Sequence, residues 1–365
     1  MVDGRDAFFM RKALRLAERG RGRTSPNPMV GALVVDADGV IVGRGSHEFA
    51  GGPHAEVHAL RDAGERAAGA TLYCTLEPCC HQGRTRPCAP AVADAGIARV
   101  VVATQDPNPR VAGGGNALLR SRGIDVVTGV LAAEARRLNE AFFSLMERGR
   151  PFVTMKVALS LDGRIAAAPG DRTAITGGAA NRHVHRQRAE IDAIAVGSGT
   201  VLADDPLLTC RVAFRARPLV RVVFDTRLRT PPGARLFSTL SAGPVIIVST
   251  TDAVERRRRE AEALTGAGAS LFTADEPARL VSALRQLGRD GVNSLLVEGG
   301  AGLHAAFWDA GLVDRVQMYV APRPLGAHGV PWLPAPVVTS PRVAERRAEP
   351  IGDDTLIEAY VHWTD

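Results

Sequence analysis

At 365 residues the chain is too long for one ordinary core, so two domains are expected. Hydrophobic content of 45% without an apolar run of the roughly 18 residues a membrane span needs excludes a membrane protein. The net charge of +6 is Arg-rich and suits anionic ligands such as phosphates, while 5% aromatic residues leave few platforms for stacking along a nucleic-acid strand.

Residues 6–19 carry Phe8, Phe9, Ala13, Leu16 and Ala17 at helical spacing, with Gly20 as a stop. Residues 22–28 form a loop in which Asn27, lying before Pro28, is extended. Strands at 30–35 and 40–43 make a hairpin through Asp36-Ala37-Asp38-Gly39. His47 follows, either facing a site or satisfied as a structural histidine. A helix at 54–63, a strand at 70–75, a helix at 89–95 and a strand at 99–104 continue the pattern. Gln105-Asp106-Pro107-Asn108-Pro109 is too Pro-rich for regular structure. A short helix at 118–122, a strand at 125–127 and one helix over 133–147 close this half. The order fits a three-layer α/β/α domain over residues 1–148, with a hinge at Glu147-Arg148-Gly149-Arg150-Pro151.

The second domain, 149–365, starts with a strand at 152–158 and a helix at 181–190. Further strands are read at 193–197, 219–224, 244–248, 294–297 and 316–320, with a polar loop at 199–206. Strands alternating with helices indicate a largely parallel sheet covered on both faces. Arg256-Arg257-Arg258-Arg259 is followed by Glu260 and Glu262, which reads as a solvated helix face rather than a nucleic-acid patch. Glu298-Gly299-Gly300-Ala301-Gly302 lies between a strand and a helix. It is either a phosphate cradle or a tight turn.

The chemistry is concentrated between residues 53 and 88. Pro53-His54-Ala55-Glu56 and Pro78-Cys79 are the parts of a zinc deaminase, in which one His and two thiolates hold the metal and a non-ligand Glu moves protons. Pro-Cys-x-x-Cys is the usual second element. Here the second thiolate is either Cys88, after eight intervening residues, or the adjacent Cys80. Residues two apart on a helix point roughly 200° apart, so His54 and Glu56 share a site only at a helix start. Five cysteines, four of them between 74 and 88, argue for a metal site in a reducing, cytoplasmic setting. The polar N-terminus, which lacks a secretory pattern, points the same way.

Taken over nearly its whole length, the chain resembles the bifunctional deaminase–reductase family of riboflavin biosynthesis. In the first half the resemblance rests on Pro26-Asn27-Pro28, the His54 and Cys79 motifs, Gly83-Arg84-Thr85-x-Pro87-Cys88 and Gln105-Asp106-Pro107-Asn108-Pro109. In the second it rests on Lys156-x-Ala158-x-Ser160-Leu161-Asp162-Gly163-Arg164, Thr200-Val201-Leu202-Ala203-Asp204-Asp205-Pro206 and Val297-Glu298-Gly299-Gly300. It implies a cytidine-deaminase-like domain followed by a dihydrofolate-reductase-like one. It implies zinc-dependent deamination of a diaminopyrimidinone ribose phosphate, then NADPH-dependent reduction of the ribosyl group to ribityl. His54, Cys79 and Cys88 would hold Zn²⁺, with Glu56 as the proton carrier. Asn27, His47, His81, Arg84 and Asn108 would bind the deaminase substrate. Ala158, Ala174, Thr200, Asp204, Thr226, Gly300, Ala301 and Gly302 would touch NADPH. Arg172, Arg188, Leu208, Arg211 and Glu298 would face the reductase substrate, the arginines gripping its phosphate. A homo-oligomer, dimer or tetramer, is expected. The sequence departs from the family at Cys80, Ala174 and Gly302, where Ser or Asn, Trp, and Thr are common. A deaminase of nucleosides or tRNA would share the zinc motif but leaves residues 151–365 without a role. A zinc-stabilised scaffold would have no use for Glu56, and an impaired reductase would trace to Ala174 and Gly302.

Overall fold

The computed structural model describes residues 4–82, 86–276, 278–333 and 337–362. The chain divides into two compact units, Met1–Gly149 and Arg150–Asp365. In the first unit α1 (Gly4–Ala17) precedes the hairpin β1 (Gly31–Val35) and β2 (Ile41–Ser46). There follow α2 (Ala55–Ala63), β3 (Thr71–Cys74), α3 (Cys88–Asp94), β4 (Arg99–Val102), α4 (Gly114–Ser121), β5 (Asp125–Thr128), α5 (Ala132–Leu138) and α6 (Glu140–Arg148). The sheet order is β2-β1-β3-β4-β5, with β3, β4 and β5 parallel and the hairpin antiparallel to them.

Alternation along the strands builds both faces of this sheet. Ala32, Val34, Leu72, Val100 and Val102 pack with Ala59 of α2, Val92 of α3, Leu119 of α4 and Phe142 of α6. Leu33, Val35, Tyr73 and Val101 pack with Phe9, Met10 and Ala13 of α1 and Ala135 of α5. This is the three-layer arrangement expected. The hairpin lies tight on its helices: a Cβ at Gly45 would stand 2.0 Å from the Ala55 carbonyl oxygen, so only glycine allows that approach. The single helix expected over 133–147 is instead two, broken at Asn139 (φ −110°, ψ 23°). The Asn139 amide accepts the Met29 N–H at 2.8 Å and donates to the Met29 carbonyl at 2.9 Å. A side chain satisfying a distant backbone pair outweighs helix continuity here.

The second unit contains β6 (Phe152–Leu159), β7 (Arg164–Ala166), α7 (Gly178–Glu190), β8 (Ala193–Gly197), α8 (Ser198–Asp204), β9 (Val220–Phe224) and β10 (Val245–Ser249). After these come α9 (Thr251–Arg256), α10 (Arg258–Gly266), β11 (Ala269–Thr273), α11 (Arg279–Arg289), β12 (Ser294–Val297), α12 (Ala301–Asp309), β13 (Arg315–Val320), β14 (Val330–Pro331), β15 (Val343–Ile351) and β16 (Asp354–Val361). The main sheet runs β11-β10-β9-β8-β12-β6-β13-β16-β15 and is parallel up to β13. Leu284, Leu287 and Phe307 of α11 and α12 cover one face, and Leu264 of α10 with Leu236 covers the other. The polar loop expected at 199–206 is α8, ended by Asp205 in the left-handed region at φ +40°. The sequence reading gives no hairpin of β15 and β16, whose β16 pairs antiparallel with β13, because β15 carries the exposed charged run Glu345-Arg346-Arg347 in place of apolar alternation.

Candidate functional site

His54 has extended geometry (φ −75°, ψ 161°) just before α2, and Glu56 falls in the helix's first turn. The helical period therefore does not separate them, and both reach one cavity. Cys79 follows β3, and Cys88 opens α3. His54 Nδ1 lies 3.0 Å from Cys88 Sγ and 3.5 Å from Cys79 Sγ, and the sulfurs are 3.6 Å apart. Tetrahedral zinc with bonds of about 2.3 Å to sulfur and about 2.0 Å to nitrogen sets its donors roughly 3.5–3.8 Å apart. The three donors fit zinc in spacing and chemistry. Among the described residues no other His, Cys, Asp or Glu joins the group. Cys80 is turned toward α4, where a Cβ on Gly114 would meet its Sγ at 2.8 Å. The long-gap cysteine, Cys88, is thus the second thiol of the site.

Hydrogen bonding from the Cys88 thiol pulls Cys79 down to about 4, and the same contact pushes Cys88 up. The Cys88 backbone N–H also donates to Cys79 Sγ at 3.3 Å. The hydrogen bond to Cys79 raises His54, against its burial. Burial pushes the Glu56 carboxyl up to about 7, and Glu56 Oε2 has no hydrogen-bond partner.

Asn27, His47, His54, Glu56, Cys79, His81 and Asn108 line one cavity of about 340 Å³. His47 Nδ1–H donates to the Pro53 carbonyl at 3.0 Å, so its Nε2 accepts from the Asn27 amide at 3.2 Å. Both readings of His47 hold together, since it is satisfied and it faces the site. Arg84 lies outside the described residues. Two acids given no role in the sequence reading also line the cavity, Glu77 and Asp106. Buried Glu77 accepts the backbone N–H groups of Asp106 at 3.3 Å, Gly113 at 2.9 Å and Asn116 at 3.0 Å. It ties the Pro-rich loop and the start of α4 to the end of β3. The available signal was that irregular loop, whose buried donors require acceptors.

In the second unit Arg188 donates twice to Glu298, at 2.8 Å each, and once to the Thr209 carbonyl at 3.2 Å. Leu208, buried at φ +52°, sets the turn that presents that carbonyl. Lys156 Nζ is 3.9 Å from Glu298, and the Arg211 guanidinium lies 3.2 Å from the His185 ring. Burial alone would raise Glu298, but Arg188 and then Lys156 override it and hold the carboxyl at about 2. Burial pulls Lys156 down. Two cations thus face one carboxylate, a surplus that suits an anionic ligand. Lys156 is a member the sequence motif contained without a role attached. The arginine expected to grip phosphate, Arg188, has its fork committed to Glu298.

The expected NADPH residues follow the carboxyl ends of neighbouring parallel strands β9, β8, β12 and β6, where open α/β sheets place ligands. Thr226 comes after β9, Thr200 and Asp204 lie on α8 after β8, and Ala158 is near the end of β6. A Cβ at Gly300 would lie 3.9 Å from Thr200 Oγ1, so the turn after β12 meets α8. A Cβ at Gly302 meets no atom within 4 Å, so the departure there leaves room rather than strain. Arg172 opposes the upward push of burial on the Asp204 carboxyl and so lies within reach of it. The Ala174 carbonyl accepts from the Arg323 guanidinium. The glycine turn at the start of α12, beside a hydroxyl, has the donor chemistry of a dinucleotide site. No helix among the described residues is long and apolar enough to cross a membrane.

Residues 4–104 match the cytidine and deoxycytidylate deaminase zinc-binding region, and residues 151–357 match the RibD C-terminal domain. The riboflavin biosynthesis protein RibD of Escherichia coli K12 is 42% identical over 370 residues, covering 96% of this chain and 98% of that one. The RibD of Acinetobacter baumannii superposes with a TM-score of 0.87 at 37% identity, over 98% of this chain and 99% of that one. A diaminohydroxyphosphoribosylaminopyrimidine deaminase/5-amino-6-(5-phosphoribosylamino)uracil reductase of Thermotoga maritima gives 0.86 at 36% identity over the same shares. The chain belongs to the RibD family of riboflavin biosynthesis, in which a zinc-binding deaminase domain is joined to an NADPH-dependent reductase domain.

Proposed function

We propose that the first unit deaminates 2,5-diamino-6-(5-phosphoribosylamino)pyrimidin-4-one. The second then reduces the ribosyl group of 5-amino-6-(5-phosphoribosylamino)uracil to ribityl. The observation that carries this reading is Glu56 Oε2, buried without a partner among the described residues on the cavity that His54 and Cys79 of the three-donor group line. A purely structural zinc site fills its positions with protein ligands and needs no spare acid. Bound zinc supplies a water able to lose its proton near neutral pH. Glu56 Oε2 would carry one of that water's protons to the ring nitrogen and the other to the departing ammonia, the water's oxygen staying on the ring carbon. Asn27 and Asn108 offer amide groups to the pyrimidine edge, and His47 holds the wall behind them. His81, whose Nδ1 is buried without a partner, serves the phosphate together with Arg84.

In the second unit Ala158, Ala174, Thr200, Asp204, Thr226, Gly300, Ala301 and Gly302 bind NADPH, which supplies the hydride. Arg188 fixes Glu298 by their paired hydrogen bonds. Glu298 then orients the sugar hydroxyls, while Arg172, Arg211 and Lys156 meet the anionic part of the substrate over the bend at Leu208. Five free thiols favour a reducing cytoplasm, and native mass spectrometry tests the homo-oligomer inferred with it.

Incubation with the diaminopyrimidine phosphate tests both halves. Ammonia should appear without NADPH, and NADPH absorbance should fall only once the deaminated product is present. Absence of ammonia refutes the first assignment, and stable NADPH with the uracil product refutes the second.

A further inference from the structure

His304, in the first turn of α12, is fully buried and lies beside the reductase cluster without belonging to it. Its Nε2 is 3.2 Å from the carbonyl oxygen of Val297, the last residue of β12. Its Nδ1 is 2.8 Å from Trp332 Nε1, with the rings edge to face at 87°. An indole N–H only donates, so Nδ1 must accept and the proton must sit on Nε2. The neutral tautomer is therefore fixed, with Nε2–H donating to Val297. Burial agrees, holding His304 down at about 4.

The bond to Val297 spans the turn that carries Glu298, Gly299 and Gly300. The turn has little slack. Glu298 N–H donates to the Ala195 carbonyl at 2.8 Å, and a Cβ at Gly299 would meet Leu303 Cδ2 at 2.8 Å. Trp332 in turn follows β14, which pairs with β7, and its backbone N–H reaches the Gly163 carbonyl at 3.4 Å. A hydrogen-bonded path therefore runs from the Ser160-Leu161-Asp162-Gly163-Arg164 segment through Trp332 and His304 to the residue preceding Glu298.

We propose that His304 is a positioning residue for the reductase. Through Val297 it sets the place of Glu298, and Trp332 orients its ring. This rests on the reductase reading above.

The test uses the full chain with both activities measured. H304L removes both hydrogen bonds, and H304Q restores a side-chain N–H able to reach Val297. In H304L, kcat for reduction should fall about tenfold or more, with the NADPH KM changed less than about threefold and deamination unchanged. H304Q should recover the rate to within about threefold of wild type. A fall in kcat of less than about tenfold in H304L overturns the proposal, as does a loss confined to the NADPH KM or one that H304Q shares in full. Should H304L fail to fold, W332F decides, since it removes the donor to Nδ1 and keeps an aromatic ring in the packing. A fall in kcat of about threefold or more with deamination intact supports the role, and a smaller change overturns it. A wild-type chain that oxidises no NADPH would instead sink the reductase reading itself.

Discussion

Replacing Glu77 by Gln should loosen the deaminase cavity without touching its ligands. The carboxylate receives three backbone N–H groups, two on Oε2 and one, from Asn116, on Oε1. A Gln oxygen can take the Oε2 place and keep the first two. Its NH2 then faces the Asn116 N–H, which leaves two buried donors without acceptors at about 1–3 kcal/mol each. Partial relaxation brings the expected cost to about 2–4 kcal/mol, or roughly 30-fold to 1000-fold in local opening. Since a two-domain chain does not unfold in one transition, hydrogen exchange is the better assay. Exchange at the Gly113 and Asn116 amides in the full chain should quicken at least about 30-fold. The deaminase KM should rise, because Asn108 rides on the released loop, and reductase kinetics should stay as they were. Exchange within about threefold of wild type would refute the clamp.

Glu56→Gln should keep one equivalent of zinc by metal analysis and keep reductase activity, while ammonia release falls by about 10²-fold or more. Zinc removal by a chelator should abolish deamination and leave NADPH oxidation with the uracil substrate intact. Arg188→Ala removes both arginine hydrogen bonds and leaves buried Glu298 with Lys156 alone at 3.9 Å, a loss of up to about 3–5 kcal/mol; the reductase should fail first, and Arg188→Lys should not rescue the paired geometry. The first unit should lose stability in acid through Asp6, which Arg99 grips at 2.8 and 2.9 Å and Tyr73 at 2.9 Å. The Arg99 hydrogen bonds outweigh burial and lower the Asp6 carboxyl, so its contribution is full above the unfolded value of about 3.9 and disappears as pH falls through the lower folded one. In Asp6→Asn that acid-dependent part should vanish from thermal denaturation curves below about pH 4.

The residues that do chemistry were legible because their types are rare and their spacing is tied to a metal. His54, Glu56, Cys79 and Cys88 could be paired off in one dimension, and only the choice between Cys80 and Cys88 needed the resemblance. The parallel sheets were legible from apolar runs such as 193–197. Residues that position the chemistry were not. Glu77, Asn139 and His304 act on backbone groups that any residue supplies, so the partner's identity leaves no trace in the sequence. Position 139 reads as mid-helix by period, yet its amide closes on Met29, 110 residues away. Arg188 reads as a phosphate ligand by type, but tertiary structure gives its fork to Glu298.

Three buried glutamates show why residue type alone could not assign these roles. Among the described residues Glu56 has a free oxygen and no arginine or lysine bonded to it, so desolvation favours its protonated form and it can carry a proton. Glu298 is slightly more exposed and meets Arg188 and Lys156, so it stays charged, a fixed partner for cations. Glu77 faces backbone N–H groups alone and spends its oxygens on holding a loop. Exchanging these environments would exchange the roles. An arginine brought against Glu56 would hold its carboxylate charged and stop proton transfer with the metal still bound, whereas Arg188→Met would leave Lys156 as the one described cation facing Glu298 and shift its carboxyl upward. Measuring zinc content beside ammonia release in the first case, and the pH dependence of reductase kcat in the second, separates loss of the residue from loss of its surroundings.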